Sequence, residues 1–285
     1  MKRLKAIRIV LATLFLGAAT AYVCIGPEAS ALAPVAVQAQ IVPSALGVTL
    51  GATLLWLTLT FLFGRVYCAT ACPVGTLLDC ALWLRRRARP HSARRSWGAG
   101  PPFRYRRARR ARWEILLAYI VCLVTGVGVV PMLIEPWHVF CNIAALTHPS
   151  EAAAPWVQLG ISGLTGLLAG GITAVGIILS GLFWGRDFCT VVCPIGTTLA
   201  AATNYSFYHI EIDPDRCINC FECERNCPSS CIKVVSRFVD DTRCVRCMDC
   251  TARCPNDAIR LQLNRKRPAT PLFIRHVTST PSSSS

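Results

Sequence analysis

Two runs of cysteines near the C-terminal end constrain the fold more than any other feature of this chain. Each run contains three cysteines separated by two residues and a fourth, further along, that precedes a proline. The first run is Cys217, Cys220, Cys223 and Cys227, and the second is Cys244, Cys247, Cys250 and Cys254. At this spacing three thiolates bind one [4Fe–4S] cluster, while the fourth cysteine reaches across to a neighbouring cluster.

The crossed fourth ligands predict two clusters. Cluster 1 would be held by Cys217, Cys220, Cys223 and Cys254, and cluster 2 by Cys244, Cys247, Cys250 and Cys227. Two zinc sites are the alternative, because CxxC pairs also bind zinc. Zinc ribbons do not end two such runs in Cys-Pro, so the pattern favours iron. Residues 206–264 therefore resemble a small α+β ferredoxin domain, whose two clusters imply one-electron transfer.

A ferredoxin domain alone does not explain a chain of 285 residues that is 53% hydrophobic. Four apolar stretches, 6–25, 43–63, 113–133 and 157–184, are each long enough to cross a bilayer, which takes about 20 residues. Small residues within them would let helices approach closely. The sequence therefore predicts an integral membrane α-helical bundle with four transmembrane helices. Buried helices of a soluble protein are the disfavoured alternative, and the first stretch also resembles a cleavable signal peptide.

The distribution of basic residues predicts how these spans are oriented. All 30 lysines and arginines lie at the start of the chain, between the second and third stretches, or after the fourth. By the positive-inside rule both termini and the ferredoxin domain are cytoplasmic, in a multi-pass protein of the inner membrane. The net charge of +15 does not indicate nucleic-acid binding, because the arginine-rich loop 85–112 lies between two spans and would meet anionic lipid headgroups.

One sequence phrase occurs twice, after the second and after the fourth apolar stretch. It reads aromatic-Gly-Arg-x-aromatic-Cys-x3-Cys-Pro, with Cys68 and Cys72 in one copy and Cys189 and Cys193 in the other. Each copy ends a two-helix hairpin, so the hairpins are predicted to be tandem repeats related by an axis along the membrane normal. The predicted domains are the repeats 1–84 and 113–205, the loop 85–112, the ferredoxin domain 206–264 and a disordered tail 265–285.

The four CxxxCP cysteines are candidate ligands of a further centre. Cysteines four residues apart share one helical face, and two such pairs around a pseudo-twofold axis could present four thiolates to one metal or iron–sulfur site. Two alternatives stay open. In the first, each pair is a reversible dithiol or a docking surface for a partner. In the second, the cysteines are present only because small residues are required where helices end. Arg65 and Arg186 precede the cysteines and are candidates to stabilise an anionic centre.

Oxidation of a quinol would require a proton acceptor near a redox centre. Glu135 and His138, just after the third stretch, are the candidates on the outer face. Asp187, inside the second CxxxCP phrase, is the candidate on the inner face. The alternatives are that Glu135 and His138 are solvated loop residues and that Asp187 caps a helix. No catalytic nucleophile is recognisable, so any enzymatic activity would be quinol oxidation.

The combination of four spans, two CxxxCP motifs and a C-terminal double ferredoxin run resembles the NapH/MauN family of membrane-bound ferredoxin-type proteins. The resemblance covers nearly the whole chain. It implies electron transfer between the quinone pool and a partner ferredoxin, a periplasmic redox enzyme or a cytochrome system. NapH-type members imply a quinol dehydrogenase subunit that supplies periplasmic nitrate reductase, whereas MauN-type members imply a role for methylamine dehydrogenase or its maturation. The short basic N-terminus favours the MauN branch.

Overall fold

The elements of the fold are α-helices in the first two thirds of the chain and short strands with small helices in the last third. The computed structural model describes residues 2–25, 40–41, 50–87, 103, 110–126, 133–145 and 163–263. Its helices are α1 (Lys2–Ile25), α2 (Leu50–Phe63), α3 (Tyr67–Thr70), α4 (Pro73–Arg87), α5 (Ala111–Val124), α6 (Pro136–Ala145), α7 (Gly163–Trp184), α8 (Pro194–Thr203), α9 (Glu222–Arg225) and α10 (Asp249–Arg253), with a π-helical turn at Phe188–Val192. Its strands are β1 (Tyr208–Ile212), β2 (Ile232–Lys233), β3 (Phe238–Val239) and β4 (Ile259–Leu263).

Helices α1, α2, α5 and α7 fall within the four predicted spans. Among the described residues, one helix, Arg3–Cys24, is long and apolar enough to cross a bilayer, and two shorter apolar helices cover Gly51–Phe63 and Gly171–Trp184. Parts of the other three predicted spans lie outside the described residues: 43–49, 127–132 and 157–162. The helical character of this region is observed, while the number of helices that cross a membrane stays a prediction.

The outward faces of these four helices are apolar. Large side chains are more than half exposed on each of them, including Leu14 on α1, Leu54 on α2, Leu117 on α5 and Ile172 on α7. Soluble monomers rarely expose large contiguous apolar patches. Helices α2 and α7 carry no charged residue at all, which is the pattern of a helix with apolar surroundings on every side.

The two repeats exchange the helices that follow their CxxxCP motifs. Helix α4 packs against α1 of its own repeat and against α7 of the other repeat. Helix α8 packs in the same way against α5 of its own repeat and α2 of the other. Pro73 and Pro194 begin these two helices, where the absence of a proline N–H is tolerated because that group has no partner within the helix. The exchange brings both CxxxCP motifs to the interface between the repeats.

The C-terminal unit is a small α+β domain. Strands β1 and β4 pair antiparallel, with Tyr208 opposite Leu263 and Ile212 opposite Ile259, and β2 pairs antiparallel with β3. Helices α9 and α10 lie within the two cysteine runs and contact each other. Buried isoleucines from the strands pack with cysteines of both runs in one core. Both ends of the unit therefore lie side by side in the β1–β4 pair.

Two glycines at equivalent positions of the repeats lie against this domain. Gly64 and Gly185 have φ angles of 82° and 72°, which only glycine adopts readily. A Cβ atom would lie 2.6 Å from Arg246 Nε at Gly64 and 2.5 Å from the Pro228 carbonyl oxygen at Gly185. Both the positive φ angle and the close approach of the C-terminal domain therefore require glycine. The repeated aromatic-Gly-Arg phrase forms part of the surface that this domain contacts.

Candidate iron–sulfur site

The two cysteine runs fold into equivalent loops. Positive φ angles occur at the same three positions of each run: at Asn219, Phe221 and Ser230 in the first and at Arg246, Met248 and Asp257 in the second. Large side chains rarely adopt this conformation, and it persists where the surrounding structure requires it. Left-handed residues among right-handed ones turn successive N–H groups toward one point, which forms a concavity suited to an anion. The loops are therefore shaped for anionic clusters.

The predicted ligands of cluster 1 surround one cavity. Its lining contains Cys217, Cys220, Cys223 and Cys254. The remaining walls are largely apolar and include Ile212, Phe221, Val234 and Ile259. Ile218, between the first two cysteines, is 62% exposed. Four soft thiol donors around an apolar cavity fit an iron–sulfur cluster, and this one would lie at the protein surface.

The predicted ligands of cluster 2 are Cys227, Cys244, Cys247 and Cys250, and all four are buried. A fifth thiol accompanies them, because Cys231 Sγ lies 3.4 Å from Cys227 Sγ. The hydrogen bond from Cys231 lowers the pKa of Cys244 to about 6, and it also lowers the pKa of Cys227. The spacing pattern assigns no role to Cys231. Alignment of the two runs could have singled it out, since Ala258 occupies its position in the second run.

The four CxxxCP cysteines converge although they belong to different repeats. Cys68, Cys72, Cys189 and Cys193 are 5–6% exposed and belong to one continuous apolar core. That core also contains Cys247 from the second cysteine run and its neighbour Val245. The site predicted from the repeat is therefore one place in the molecule, and it lies beside the ligands of cluster 2.

Each CxxxCP pair is wound more widely than a regular α-helical turn. The N–H of Cys72 donates to the carbonyl of Tyr67 at 3.1 Å, and that of Cys193 donates to Phe188 at 2.9 Å. These bonds span five residues, as in a π-helix, which occurs frequently at functional sites. Burial raises the pKa of the Cys189 thiol to about 12, partly offset by Arg186. Ionised thiolates at this depth would need a compensating cation such as a metal.

Two further glycines bring the cysteine backbone close to the following helices. A Cβ at Gly75 would lie 2.3 Å from the Cys68 carbonyl oxygen, and one at Gly196 would lie 2.1 Å from that of Cys189. The Gly196 N–H also donates to Cys193 Sγ at 3.4 Å. The Pro-x-Gly that follows each CxxxC therefore lets α4 and α8 begin directly against the cysteines.

The arginines of the repeated phrase cross from one repeat to the other. Arg65 Nη1 donates to the carbonyl of Gly196 at 2.5 Å, and Arg186 Nη1 donates to that of Cys68 at 3.0 Å. Both side chains are fully buried, as are those of Arg112, Arg243 and Arg246 at the junction with the C-terminal domain. Arginine is almost never fully buried unless it is paired. Three of them are paired with aspartates, namely Arg186 with Asp79, Arg243 with Asp187 and Arg246 with Asp241.

Whether metal centres fit these sites is judged from the type of donor atom, its burial and the surrounding charge. Across the described segments the cysteines are free thiols, and no group of three or more His, Cys, Asp or Glu side chains is already arranged to bind a metal ion. Buried guanidinium atoms without a hydrogen-bond partner include Arg65 Nε and Arg112 Nε. A [4Fe–4S] cluster with four thiolate ligands is anionic and would compensate such buried cations.

Glu135 and His138 lie at the start of helix α6 (Pro136–Ala145). Helix α6 begins directly after Glu135 and packs against α1, α4 and α7. Glu135 is 2% exposed and accepts a hydrogen bond from His138 Nδ1, while its Oε1 atom has no partner in the described structure. A buried acid therefore lies at the start of a helix that packs against α4, the helix that follows Cys72.

Asp187 has a structural partner in the C-terminal domain. Its Oδ1 atom accepts a hydrogen bond from Arg243 Nη2 at 2.8 Å. Asp187 precedes the π-helical turn, but its side chain makes no capping hydrogen bond there. The interaction joins the second CxxxCP phrase to the residue before Cys244, so Asp187 contributes to the junction between domains.

Sequence reasoning missed Asp79, which organises one side of this junction. Its carboxylate contacts Arg8 at 2.5 Å and accepts from Arg186 Nε at 3.0 Å. Arg8 also donates to the carbonyl of Cys247 at 3.0 Å. The sequence did contain a signal for this residue. Asp79 is the one acidic residue of α4, the helix that follows the first CxxxCP motif, and the equivalent position in α8 is an alanine.

Family models describe the same regions independently. Three different models described as 4Fe-4S binding domains match the chain, one at 46–91 and 167–203, one at 209–232 and one at 237–260. The first covers both CxxxCP motifs, and the other two cover one cysteine run each. The chain therefore carries 4Fe-4S binding domains in its helical part as well as in its C-terminal part.

Curated relatives match this chain over somewhat less than two thirds of its length. "Ferredoxin-type protein NapH" of Haemophilus influenzae is 27% identical over 64% of this chain and 53% of its own length. "Putative electron transport protein YccM" of Escherichia coli is 23% identical over 61% of this chain and 44% of its own length. "Methylamine utilization ferredoxin-type protein MauN" of Paracoccus denitrificans is 26% identical over 65% of this chain and 56% of its own length. No solved structure matches.

These matches are similar in strength for NapH and MauN, so they do not separate the two branches. The chain spans about half the length of the curated relatives it matches. Together with the two cysteine runs and the repeated CxxxCP motif, they show that this chain is similar to the ferredoxin-type proteins that include NapH and MauN.

Proposed function

We propose that this protein is a membrane-bound iron–sulfur protein that transfers electrons between the quinone pool and a partner redox protein. The observation that carries the proposal is the continuous core that joins the four CxxxCP cysteines to Cys247. This core places the second cysteine run directly against the helices. When bound, [4Fe–4S] clusters carry one electron at a time.

The proposed membrane arrangement has four transmembrane helices, with both termini and the C-terminal domain in the cytoplasm. The exposed apolar faces of α1, α2, α5 and α7 support it, because exposing apolar patches of this size to water is unfavourable. The basic residues support the orientation, since the segments proposed to be outside contain no lysine or arginine. In this arrangement the helical core lies at the inner side of the inner membrane.

The proposed centres form a path from the surface into the helical core. Cluster 1 is proposed to be held by Cys217, Cys220, Cys223 and Cys254, and cluster 2 by Cys244, Cys247, Cys250 and Cys227. The cluster 1 cavity reaches the surface beside the exposed Ile218 and suits contact with a partner protein. The ligands of cluster 2 are buried between that cavity and the CxxxCP cysteines.

A third iron–sulfur centre is proposed at Cys68, Cys72, Cys189 and Cys193. Three observations support it: the four thiols are buried together, Arg65 and Arg186 lie beside them, and a 4Fe-4S binding domain model covers both motifs. Burial of four cysteines with two arginines has no explanation in helix packing alone. The reversible dithiol is the competing reading, and the iron content separates the two.

Glu135 and His138 are proposed to accept protons from a quinol. The hydrogen bond between them and the burial of Glu135 support this role, because a carboxylate paired with imidazole can accept and pass on a proton. They lie at the start of α6, which packs against α4, the helix that follows Cys72. The electron would then enter the path at the core and leave at cluster 1, or travel in reverse.

The partner is proposed to be a ferredoxin, a periplasmic redox enzyme or a cytochrome system. Two pathways fit the family, namely methylamine utilisation and delivery of electrons to a periplasmic nitrate reductase. Deletion of the gene distinguishes them by the growth that is lost, on methylamine or on nitrate. A maturation role predicts in addition that an unprocessed target enzyme accumulates while quinol oxidation continues.

The iron content of anaerobically purified protein tests the proposal. We expect about twelve iron and twelve sulfide ions per chain, as three [4Fe–4S] clusters require. The double variant Cys68→Ala/Cys189→Ala should retain about eight, because the ferredoxin clusters do not use these residues. Cys80→Ala is the matched control, since this exposed cysteine lies outside the motifs. About eight iron ions in the unmodified protein would contradict the third centre.

Addition of a quinol, followed by EPR spectroscopy, tests the direction of reduction. Cluster signals should develop with quinol as they do with dithionite. Glu135→Gln should slow reduction by quinol about tenfold or more and leave reduction by dithionite unchanged, because only quinol releases protons. Glu114→Gln, an exposed acid at the start of α5, is the control. Clusters that quinol cannot reduce would contradict the link to the quinone pool.

A further inference from the structure

We infer that Asp79 is a positioning residue: it fixes the second cysteine run relative to the first CxxxCP motif by holding Arg8 and Arg186 in place. The inference deepens the proposed function and, for its effect on electron transfer, rests on it. The run is proposed to hold cluster 2, and the motif to hold part of the third centre. Electron transfer between two centres slows steeply as the distance between them grows. A residue that fixes this distance therefore sets the rate without touching either centre.

A continuous chain of side-chain contacts joins the two sites. Arg186 Nη1 donates to the carbonyl of Cys68 at 3.0 Å, and its Nε donates to Asp79 Oδ1 at 3.0 Å. On the other side of the carboxylate, Arg8 Nη2 donates to Asp79 Oδ2 at 2.5 Å, and Arg8 Nη1 donates to the carbonyl of Cys247 at 3.0 Å. The chain therefore connects a main-chain carbonyl of the first CxxxCP motif with one of the second cysteine run, and Asp79 is its central member.

The two arginines depend on the carboxylate that they share. Arg186 is fully buried, and the side chains of Arg8 and Asp79 are 11% and 23% exposed, so water screens their charges only weakly. Without the anion, two like charges would repel each other, and a buried charge that loses its partner is strongly destabilised. Arg8 is the more exposed of the two arginines. Loss of the Asp79 charge should therefore release Arg8 from the second cysteine run.

Asp249 of α10 does not replace Asp79 as a partner of Arg8. Its two carboxylate oxygens are already paired, with Lys5 Nζ at 2.6 Å and with Arg86 Nη1 at 3.2 Å. Among the described residues, the ion pair of Arg8 is the one with Asp79. The contact between Arg8 and the second cysteine run therefore depends on Asp79.

The second CxxxCP motif is joined to the same cysteine run by a single side chain. Arg65 Nη1 donates to the carbonyl of Gly196 at 2.5 Å, and its Nη2 donates to that of Arg243, directly before the run, at 3.3 Å. This direct bridge needs no intermediate carboxylate, which agrees with the alanine, Ala200, at the position equivalent to Asp79. The positioning role of Asp79 therefore belongs to the first motif alone.

A double-mutant cycle on the full chain in detergent tests the inference, and its readout is amide hydrogen exchange. Asp79→Asn removes the charge at almost constant shape and should speed exchange in Cys247–Arg253 about fivefold, as should Arg8→Gln. The double variant should also exchange about fivefold faster and not about 25-fold, because Asp79 acts on this segment through Arg8. Exchange in β1 should stay unchanged, since β1 is held by β4 within the C-terminal domain.

Asp187→Asn, with and without Arg8→Gln, is the matched control. The ion pair of Asp187 with Arg243 also joins the helices to the C-terminal domain, at 2.8 Å and with the Asp187 side chain 20% exposed, but it does not involve Arg8. The effect of Asp187→Asn on exchange should therefore be the same in both backgrounds. Unchanged exchange in Asp79→Asn, or multiplying effects of Asp79→Asn and Arg8→Gln, would overturn the inference.

The rate of cluster reduction is a second readout. Quinol supplies the electrons, and EPR after rapid freezing follows the reduction of each centre. Asp79→Asn should slow the reduction of cluster 2 about threefold or more and leave that of the third centre unchanged, because each electron passes from the third centre to cluster 2. Equal slowing of both centres would contradict the positioning role. If quinol reduces no centre in the unmodified protein, the proposed function is wrong, and the exchange cycle decides the inference by itself.

Discussion

At the scale of single residues, Cys231 distinguishes the two otherwise equivalent cysteine runs. Its thiol lies 3.4 Å from Cys227 Sγ, and the equivalent position of the other run is Ala258, whose N–H donates to Cys254 Sγ at 3.3 Å. Once Cys227 is a thiolate ligand, Cys231 is the only possible donor of the pair. Hydrogen bonds to ligand sulfurs help to set cluster potentials, so cluster 2 should be easier to reduce than it would be without Cys231.

Replacement of this thiol tests its effect. Cys231→Ala should leave the iron content unchanged and lower the equilibrium constant for reduction of cluster 2 about threefold, or about 30 mV, because one donor is lost. The measurement is an EPR redox titration. Ala258→Cys is the reciprocal variant and should raise the potential of cluster 1. A loss of iron in Cys231→Ala would instead identify this residue as a ligand.

Gly75 and Gly196 are the residues at which side-chain volume should matter most. An added methyl group would meet the Cys68 or Cys189 carbonyl oxygen at 2.3 or 2.1 Å, far inside van der Waals contact. We expect Gly75→Ala and Gly196→Ala each to lower the free energy of unfolding by about 1–3 kcal/mol. Thermal unfolding in detergent measures this. Gly176→Ala is the control, since nothing lies within 4 Å of the added atom, and an equal loss there would contradict the steric argument.

At the scale of elements, helix α1 has two roles, as a proposed membrane span and as a contact of the C-terminal domain. Its apolar length suits a membrane span, and its basic first turns bind the C-terminal domain. Lys5 Nζ lies 2.6 Å from Asp249 Oδ1, and Arg8 reaches the carbonyl of Cys247. Residues that the positive-inside rule explains as topology signals therefore also contact the second cysteine run, which is proposed to hold cluster 2.

The variant Lys5→Gln/Arg8→Gln tests this second role. Amide hydrogen exchange in Cys247–Arg253 should become about tenfold faster, which corresponds to a loss of about 1.4 kcal/mol in docking. Insertion of α1 should be unaffected, because the helix stays apolar. Arg3→Gln is the control, since Arg3 is exposed on the same helix. Unchanged exchange in the double variant would show that α1 does not hold the domain.

At the scale of the whole molecule, the proposed topology has a direct test. Reporter fusions at the C-terminus and within 88–100 should give fluorescent green fluorescent protein and inactive alkaline phosphatase, because both sites are proposed to be cytoplasmic. Fusions within 26–39 and 146–156 should give the reverse result. Active phosphatase at the C-terminus would contradict four spans with both termini inside.

The features of this protein that depend on spacing along the chain could be predicted before its structure was known. The intervals within each cysteine run predict the cluster-binding loops, and 4Fe-4S binding domains match both runs. The repeated phrase around Cys68 and Cys189 predicts two equivalent motifs, and one family model covers both. Hydropathy located the apolar helices, because a helix in apolar surroundings needs apolar residues over its whole length. Each of these signals is local and periodic.

Which of these parts contact each other depends on how the helices pack and could not be predicted from spacing. The convergence of the CxxxCP pairs requires the repeats to exchange α4 and α8, and no residue spacing encodes that exchange. The contacts of Asp79 with Arg8 and Arg186 join residues far apart in sequence, as does the packing of α6 against α4. Such contacts arise because buried charges must find partners once helices pack. The partner of a buried charge cannot be predicted from the periodicity of the sequence.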